Sequence, residues 1–176
     1  RFPYLSAEQR RAVLKTTAID SGYPVLDDEE GFGRLNLFDA ASGYGRFEAD
    51  VTVTMSNRMD GFCASGFCSF DQWRNDISGD GGLTVSGEGT LTLAGDNSFA
   101  GGVRVDGADV VATTARALGG GSVAVDSGSL DLRATATAVA SELALGDGGT
   151  VLLTAGKPVV ADSALSLGGK LSLIHI

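Results

Sequence analysis

The chain has 176 residues, with 22 acidic and 13 basic side chains and a formal net charge of −9. A surface of that sign repels phosphate backbones and anionic lipid, so we expect no nucleic-acid partner. Apolar runs are only a few residues long, far below the roughly 20 that span a bilayer. Glycine is abundant, at 26 residues, and small side chains alternate with Val and Leu, which favours closely stacked β-structure.

Residues 1–47 are predicted to be helix and loop. Ser6 is a good N-cap, and Gln9 three residues later completes a capping box, so a helix is expected over residues 7–18. The Ser-Gly-Tyr-Pro sequence at residues 21–24 ends that helix, because Gly and Pro both break helical continuation.

A second, shorter helix is expected at about residues 35–41. The apolar positions of the first helix lie on one side, with its basic side chains on the other. We therefore expect the two helices to pack through Val13 and Leu14 onto Leu35 and Phe38.

From Val51 the pattern changes to period two, and residues 51–55 read as a strand. Further along, short apolar-x-apolar units recur about every 20 residues at two offsets, separated by glycine-rich turns. The first series begins at Leu83, Val103, Val123 and Leu143, and the second at Leu91, Val110, Leu130, Val151 and Leu171.

A period near 20 with two short strands per repeat is typical of a β-solenoid, in which stacked units bury the apolar face that no unit buries alone. The predicted fold is mainly β: a parallel β-helix with about 20 residues per rung, preceded by a short helical segment. A β-sandwich is the alternative, and the constant period counts against it. The side chains expected to stack inside are Leu83, Leu91, Val103, Val123, Leu130, Leu143, Leu145 and Val151.

Cys63 and Cys68 form a Cys-x4-Cys pair. A zinc site needs two more nitrogen or sulfur ligands, and a thioredoxin-like motif needs Cys-x-x-Cys spacing. The interpretation we favour is a disulfide closing a short loop in an oxidising compartment, with free thiols as the alternative.

No catalytic, cofactor-binding or metal-binding residue is predicted. The only histidine is His175, inside a tail at residues 172–176 that resembles translated sequencing-adapter read-through. Without another imidazole, a Ser-His-Asp triad or a histidine nucleophile is excluded.

Two charged clusters resemble sites but have simpler explanations. The acidic turn at residues 27–30 is expected to be a solvated loop rather than a metal site. Around Trp73, the charged residues Asp71, Arg74 and Asp76 are expected to solvate or cap the solenoid edge while the indole covers its open end.

The segment at residues 87–102, GEGTLTLAGDNSFAGG, resembles the autotransporter-associated β-strand repeat, whose usual form is G-x-G-T-L-x-L-x-G-x-N-x-[YF]-x-G-G. The resemblance implies a passenger that a Gram-negative bacterium secretes or displays through a C-terminal outer-membrane β-barrel. An adhesin β-helix is an alternative, but such binding faces usually carry exposed aromatic ladders, and only Phe99 is expected to break the surface pattern here.

Residues 5–18 and 27–38 resemble the region that closes the catalytic domain of autotransporter-fused acid phosphatases of the phosphatidic acid phosphatase type 2 family, and residues 72–77 resemble the junction that follows. The catalytic motifs of that family are absent, so no catalytic residue carries over. The alternative parent is a subtilisin-like serine protease, whose catalytic domain also ends in a helix, a Thr-Ala step (residues 17–18) and a Gly-x-Gly-x-Leu-Asn turn (residues 31–36).

The expected organisation is therefore a non-catalytic stalk within a longer polypeptide. The chain begins at Arg1 without an initiator methionine, so we expect an upstream catalytic domain and a downstream barrel as partners in the same polypeptide. The predicted segments are an upstream-domain remnant at 1–47, a junction and cap at 48–78, the solenoid at 79–171 and the tail at 172–176.

Overall fold

The computed structural model describes residues 1–19, 28–134, 138–154, 159–168 and 170–174. The predicted helix stop at residues 21–24, Asp27 of the acidic turn, and His175 and Ile176 of the tail lie outside those residues.

The chain opens with the two predicted helices. Helix α1 spans Ala7–Thr16 and begins at the predicted capping box: the Ser6 hydroxyl accepts a hydrogen bond from the Gln9 backbone N–H, and the Gln9 side chain accepts one from Ser6 N–H. Helix α2 spans Leu37–Ala40 and is capped by Asn36, whose side-chain oxygen accepts from Asp39 N–H at 3.1 Å. Both elements form because side chains replace the missing backbone acceptors at their first turns.

The expected packing between the two helices is wrong in its details. Val13 is buried and belongs to the main apolar core, but Leu14, Leu35 and Phe38 are exposed, Phe38 by 80%. The single turn of α2 exposes Leu37 and Phe38 but buries Ala40, while α1 turns Val13 into the main core. The two predicted contact residues of α1 therefore differ, since Val13 is buried and Leu14 is exposed.

Eleven strands follow within the described residues, with a short 3-10 helix at Gly61–Cys63 between the second and third. Their bounds are β1 Arg46–Phe47, β2 Val51–Met55, β3 Phe70–Trp73, β4 Ser78–Gly79, β5 Leu83–Gly87, β6 Thr90–Leu93, β7 Val103–Ala112, β8 Val123–Asp131, β9 Ala138–Thr154, β10 Val159–Leu167 and β11 Lys170–Ile174.

These strands pair as a parallel solenoid. The main sheet runs in the order β10-β9-β8-β7-β5-β2; β6 lies between β3 and β7, and β11 pairs with β9. Every pairing between these named strands is parallel. Each strand therefore lies against its counterpart in the next turn of the chain, which we call a rung. The mainly β, parallel β-helical fold is confirmed.

The strand register reproduces the two apolar series of the sequence. Leu83 pairs with Val103, Val103 with Val123, and Val123 with Leu143. The second series pairs in the same way, from Leu91 onward through Val110, Leu130 and Val151 to Leu171. All eight side chains predicted to stack inside are buried. A constant rung length places apolar side chains one above another in continuous columns, and this burial stabilises the fold.

Parallel pairing begins at β1, which pairs with β4, and the first rung continues through β2 and β3 to Trp73. Met55 pairs with Gly87, and Phe70 pairs with Thr90. Between these paired positions the second rung needs only Glu88 and Gly89, whereas the first rung inserts residues 56–69. This corner insertion, which contains both cysteines, leaves the register of the strands on either side intact.

The helical segment closes the first-rung end of the solenoid. The rings of Tyr44 and Phe47 lie 5.3 Å apart, and the Phe47 ring lies 5.0 Å from that of Phe99 in the second rung. The Gln9 side chain donates a hydrogen bond of 2.7 Å to the Thr52 carbonyl on the outer edge of β2. A backbone group that would otherwise be unpaired is therefore satisfied by the cap.

At the other end, the backbone of Ser172–Ile174, which lies in the predicted tail, pairs with Leu152–Thr154 of β9.

Candidate functional site

The two cysteines lie on either side of the turn in the corner insertion. Cys63 ends the 3-10 helix, and Cys68 is buried two residues before β3. Their Cα atoms are 5.3 Å apart, within the range of roughly 4.4–6.8 Å that disulfides adopt, and their sulfurs are bonded in this structure. Oxidation of the pair in the native protein stays a prediction.

The corner insertion is unusually apolar for an exposed loop. Met59, Phe62, Phe67 and the adjoining Phe70 of β3 all expose large apolar side chains, and Phe62 is 91% exposed. The loop is tied down by backbone hydrogen bonds: Ser56 N–H donates to the Cys68 carbonyl at 2.8 Å. It protrudes at one corner of the first rung and is held by these hydrogen bonds and by the disulfide.

Beside this loop, Asp71 is the centre of a buried polar network. Its carboxylate, in a residue only 1% exposed, lies 2.5 Å from the Arg1 guanidinium and accepts a 2.5 Å hydrogen bond from the Tyr4 hydroxyl. The Trp73 indole N–H in turn donates to the Tyr4 hydroxyl at 2.9 Å. Burial raises the pKa of the Tyr4 phenol, and the negative charge of Asp71 raises it further. The phenol therefore stays protonated and donates to the carboxylate.

Sequence reasoning missed this network, although one signal for it exists. Asp71 pairs with Leu91 in the strand register, so it occupies the first-rung position of the column that continues through Val110 and Leu130. Counting back one period of 20 from Leu91 places a carboxylate where the other rungs carry Leu or Val. That substitution marks the end of the column.

The predicted roles around Trp73 need correction. Asp71 does not solvate the edge; it is buried and paired. Trp73 does not cover the open end from outside, because it is itself buried, with the Tyr44 ring 5.4 Å away. Asp76 accepts a hydrogen bond from Asp96 N–H at 2.6 Å, which joins two rungs, and Arg74 donates to the Gln72 side chain at 3.2 Å. The cap is built from residues 1–47 rather than from this cluster.

A polar cleft of about 560 Å³ lies between the helical segment and the first rung. The hydroxyls of Thr16 and Thr17 lie on its wall, and both donate to carbonyls of α1 at 2.8 and 2.7 Å. A nucleophilic hydroxyl needs an adjacent base instead of a helix carbonyl. Neither threonine is therefore arranged for catalysis.

Over the described part of the chain, no three His, Cys, Asp or Glu side chains converge as a metal site. Within the same residues, no helix combines the length and apolarity needed to cross a membrane.

The segment that resembles the autotransporter repeat begins at the last residue of β5 and forms β6 and the turn into β7. Asn97 is buried in that turn, where its side chain accepts from Ile77 N–H at 2.8 Å and donates to the Ala117 carbonyl at 2.6 Å. It therefore joins three successive rungs. Phe99 was expected to be an exposed aromatic, but it is completely buried. The motif residues hold rungs together, and Phe99 offers no binding surface.

Residues 83–111 match the family described as Passenger-associated-transport-repeat. An extracellular serine protease of Serratia marcescens is 39% identical over 127 residues, which cover 57% of this chain and 12% of that protein. The Neisserial autotransporter lipoprotein NalP of Neisseria meningitidis is 32% identical over 116 residues, covering 63% of this chain and 10% of that protein. Serotype-specific antigen 1 of Mannheimia haemolytica is 34% identical over 97 residues, covering 55% of this chain and 9% of that protein.

Together these matches support an autotransporter passenger, and the structure shows the β-helical fold of the matched repeat. The repeat lies on stacked rungs, and the similarity to NalP covers far more of the chain than the repeat does. Such a passenger is secreted or displayed at the cell surface through the outer membrane of a Gram-negative bacterium. The passenger segment spans 12% or less of the length of the three relatives.

Proposed function

We propose that this passenger segment is the non-catalytic stalk that follows a serine protease domain in the same polypeptide and holds that domain away from the outer membrane. The observation that carries the proposal is the similarity to the extracellular serine protease of Serratia marcescens, at 39% identity over 57% of the chain. The matched repeat alone covers only residues 83–111, so the similarity extends beyond the solenoid motif.

The geometry of the predicted Gly-x-Gly-x-Leu-Asn turn supports the same parent. Gly31 and Gly33 both have positive φ, at 63° and 92°, which side chains disfavour. Asn36 then caps α2. Three residues of the resemblance, Gly31, Gly33 and Asn36, therefore have structural roles in making the turn and starting the helix that follows.

An exposed apolar face on the helical segment supports a preceding domain. Whereas the apolar core is buried, four large apolar side chains of this segment are exposed: Leu14, Leu35, Leu37 and Phe38. Apolar patches of this kind on soluble proteins mark contact surfaces. We interpret this face as the part of the segment that packs against the protease.

An acid phosphatase parent was the first expectation from sequence. It rests on the resemblance of residues 5–18 and 27–38 to the region that closes such phosphatase domains. Of the three relatives reported above, the one that carries an enzyme name is a serine protease, which is why we propose the protease. The expected C-terminal barrel, which anchors and exports a passenger, belongs to the same proposal.

The stalk performs its role through the stacking of its rungs. Each rung adds about 4.8 Å of length, the spacing of hydrogen-bonded strands. Because each rung buries its apolar side chains against the previous one, the solenoid can fold progressively outside the cell without a separate nucleus for each rung. A stiff rod of this kind fixes the distance between the enzyme and the membrane.

The test is to recover the complete reading frame and express the whole passenger. We expect Asp, His and Ser motifs in that order upstream of residue 1, and casein hydrolysis that phenylmethylsulfonyl fluoride abolishes. The matched control replaces the upstream Ser nucleophile by Ala and should be inactive with the stalk still folded. Paired histidine motifs upstream, with hydrolysis of p-nitrophenyl phosphate that the inhibitor does not affect, would overturn the proposal in favour of the phosphatase.

A further inference from the structure

Groups from the corner insertion, from β3 and from the helical segment together surround one side chain, that of Arg1. Its guanidinium lies 4.3 Å from the centre of the Phe67 ring and 4.6 Å from that of Phe2. It pairs with the buried Asp71 carboxylate and donates to two backbone carbonyls, Ala41 at 2.9 Å and Gln72 at 3.2 Å. Two aromatic faces, one carboxylate and two carbonyls supply what a planar cation needs.

We propose that these groups form a guanidinium-binding site. By binding Arg1, the site clamps the N-terminal segment, from Arg1 to the end of α1, onto the first rung. The Cys63–Cys68 disulfide holds the Phe67 side of the site in place. The site is intramolecular, with Arg1 as its occupant. It fixes the orientation of the segment that leads into the solenoid. The inference is independent of which enzyme precedes the stalk.

The position of the disulfide explains why it controls the Phe67 side of the site. Phe67 immediately precedes Cys68, and Gly66 before it has a positive φ of 81°. Gly66 N–H donates to the Cys63 carbonyl at 3.0 Å, and Ser69 N–H donates to the Gly66 carbonyl at 3.0 Å. The disulfide closes this turn, so without it Phe67 is held by the turn's hydrogen bonds and by Arg1. Breaking the covalent link increases the conformational freedom of the turn.

The burial of Asp71 explains why binding of Arg1 in this site affects stability. A buried carboxylate is costly unless it is paired and hydrogen-bonded. Loss of Arg1 from the site leaves Asp71 with the Tyr4 hydroxyl and the Gln72 backbone N–H as partners. Since Tyr4 belongs to the same N-terminal segment as Arg1, detachment of that segment removes both the ion pair and the hydrogen bond. The N-terminal segment is therefore held as one unit.

Hydrogen–deuterium exchange of the 176-residue protein tests the clamp. Phe67→Leu keeps the apolar volume but removes the aromatic face, and Phe62→Leu is the matched control, because Phe62 is an exposed phenylalanine of the same loop. We expect amides of α1 to exchange about three- to tenfold faster in Phe67→Leu, as expected for loss of a cation–π contact. Amides of β7 and β8 should be unchanged, and Phe62→Leu should match the parent.

Reduction tests the role of the disulfide. Dithiothreitol converts the S–S bond into two thiols and is itself oxidised to its cyclic disulfide. It should accelerate α1 exchange in the parent protein but have no effect on the Cys63→Ser/Cys68→Ser double variant, which should already exchange faster. Thiol alkylation of the oxidised protein should label neither cysteine. Two labelled cysteines, or α1 exchange that reduction leaves unchanged, would overturn the disulfide's role.

A third variant separates the clamp from the stability of the solenoid. Asp71→Leu extends the apolar column of Leu91 and Val110 by one position, so the strands should keep their protection. The same variant removes the partner of both Arg1 and Tyr4, so exchange of α1 should accelerate. Unchanged α1 exchange in both Asp71→Leu and Phe67→Leu would show that no guanidinium clamp exists.

Discussion

At the scale of single residues, Tyr4 and Tyr44 show that a buried phenol hydroxyl can stabilise or destabilise the fold, depending on its hydrogen-bond partners. The Tyr4 hydroxyl has two partners, since it donates to Asp71 and accepts from the Trp73 indole. The Tyr44 hydroxyl is buried and has no partner among the described residues. A buried polar atom without a hydrogen bond lowers stability by about 1–3 kcal/mol. We therefore expect the Tyr4 hydroxyl to stabilise the fold and the Tyr44 hydroxyl to destabilise it.

Replacing each tyrosine by phenylalanine should expose that difference. Tyr4→Phe leaves the Trp73 N–H and one Asp71 oxygen without partners and should lower the stability of the cap by about 1–3 kcal/mol. Tyr44→Phe removes the unpartnered hydroxyl and should be neutral within about 0.5 kcal/mol or stabilising. Urea unfolding followed by fluorescence measures both, because Trp73 is the single tryptophan and contacts both tyrosines. Equal losses in the two variants would contradict the assignment of hydrogen bonds.

The same phenols predict an alkaline limit to cap stability. Burial raises the pKa of Tyr44, as it does that of Tyr4, above the ordinary value of 10.0. Below that value both phenols are protonated whether the chain is folded or unfolded, and their contribution is complete. Above it the unfolded chain releases protons that the folded protein retains, so stability falls as pH rises. Urea midpoints should fall above about pH 10, and less steeply in Tyr44→Phe; an identical fall in that variant would contradict the prediction.

At the scale of elements, the corners decide how closely rungs can stack. At the corner before β8, a Cβ on Gly121 would lie 2.3 Å from the Ala100 carbonyl oxygen and 2.4 Å from Gly102 N, both backbone atoms. A Cβ on the adjacent Gly120 would meet only the Phe99 carbonyl oxygen, at 4.0 Å. The structure therefore has space for a methyl group at Gly120 but not at Gly121.

Gly121→Ala should therefore destabilise the solenoid by at least about 2 kcal/mol, since two rungs must separate to admit the methyl group. Gly120→Ala is the matched control and should be neutral within about 0.5 kcal/mol. Hydrogen exchange of β7 and β8 locates the effect, with faster exchange expected on both sides of the corner in Gly121→Ala only. Equal behaviour of the two variants would mean that the corner can relax.

The strands were predictable from sequence because two periodicities coincide in them. Alternation along each strand assigns Val103 and Val105 to the interior, and the 20-residue repeat places them over Leu83 and Val85. Neither periodicity extends to the cap. The Arg1–Asp71 pair joins residues 70 positions apart, and the insertion at residues 56–69 interrupts the repeat within the first rung. Phe38 looked like core because apolar residues in short helices usually are, yet nothing in the described chain covers it.

At the scale of the whole molecule, the stalk is expected to have no hydrolytic activity. Its one histidine, His175, lies in the predicted tail, and serine proteolysis needs a base that takes the hydroxyl proton at neutral pH. The purified 176-residue protein should hydrolyse neither casein nor p-nitrophenyl phosphate above background. A variant without residues 172–176 is the control. Turnover that survives this deletion would reveal a site that the described residues do not suggest.

The cap over β2 also determines whether the solenoid stays a single molecule. An uncovered parallel edge offers a row of N–H and C=O groups that another copy can extend, which is how strand-rich proteins polymerise into fibres. Gln9 occupies one acceptor of that row, the Thr52 carbonyl, and we expect the cap to keep another copy from pairing there. A chain reduced to residues 48–174 should therefore form concentration-dependent oligomers in analytical ultracentrifugation, while the 176-residue protein sediments as a monomer. A monomeric shortened chain would mean that Asp71, a charge left at the exposed column end, is enough to prevent end-to-end growth.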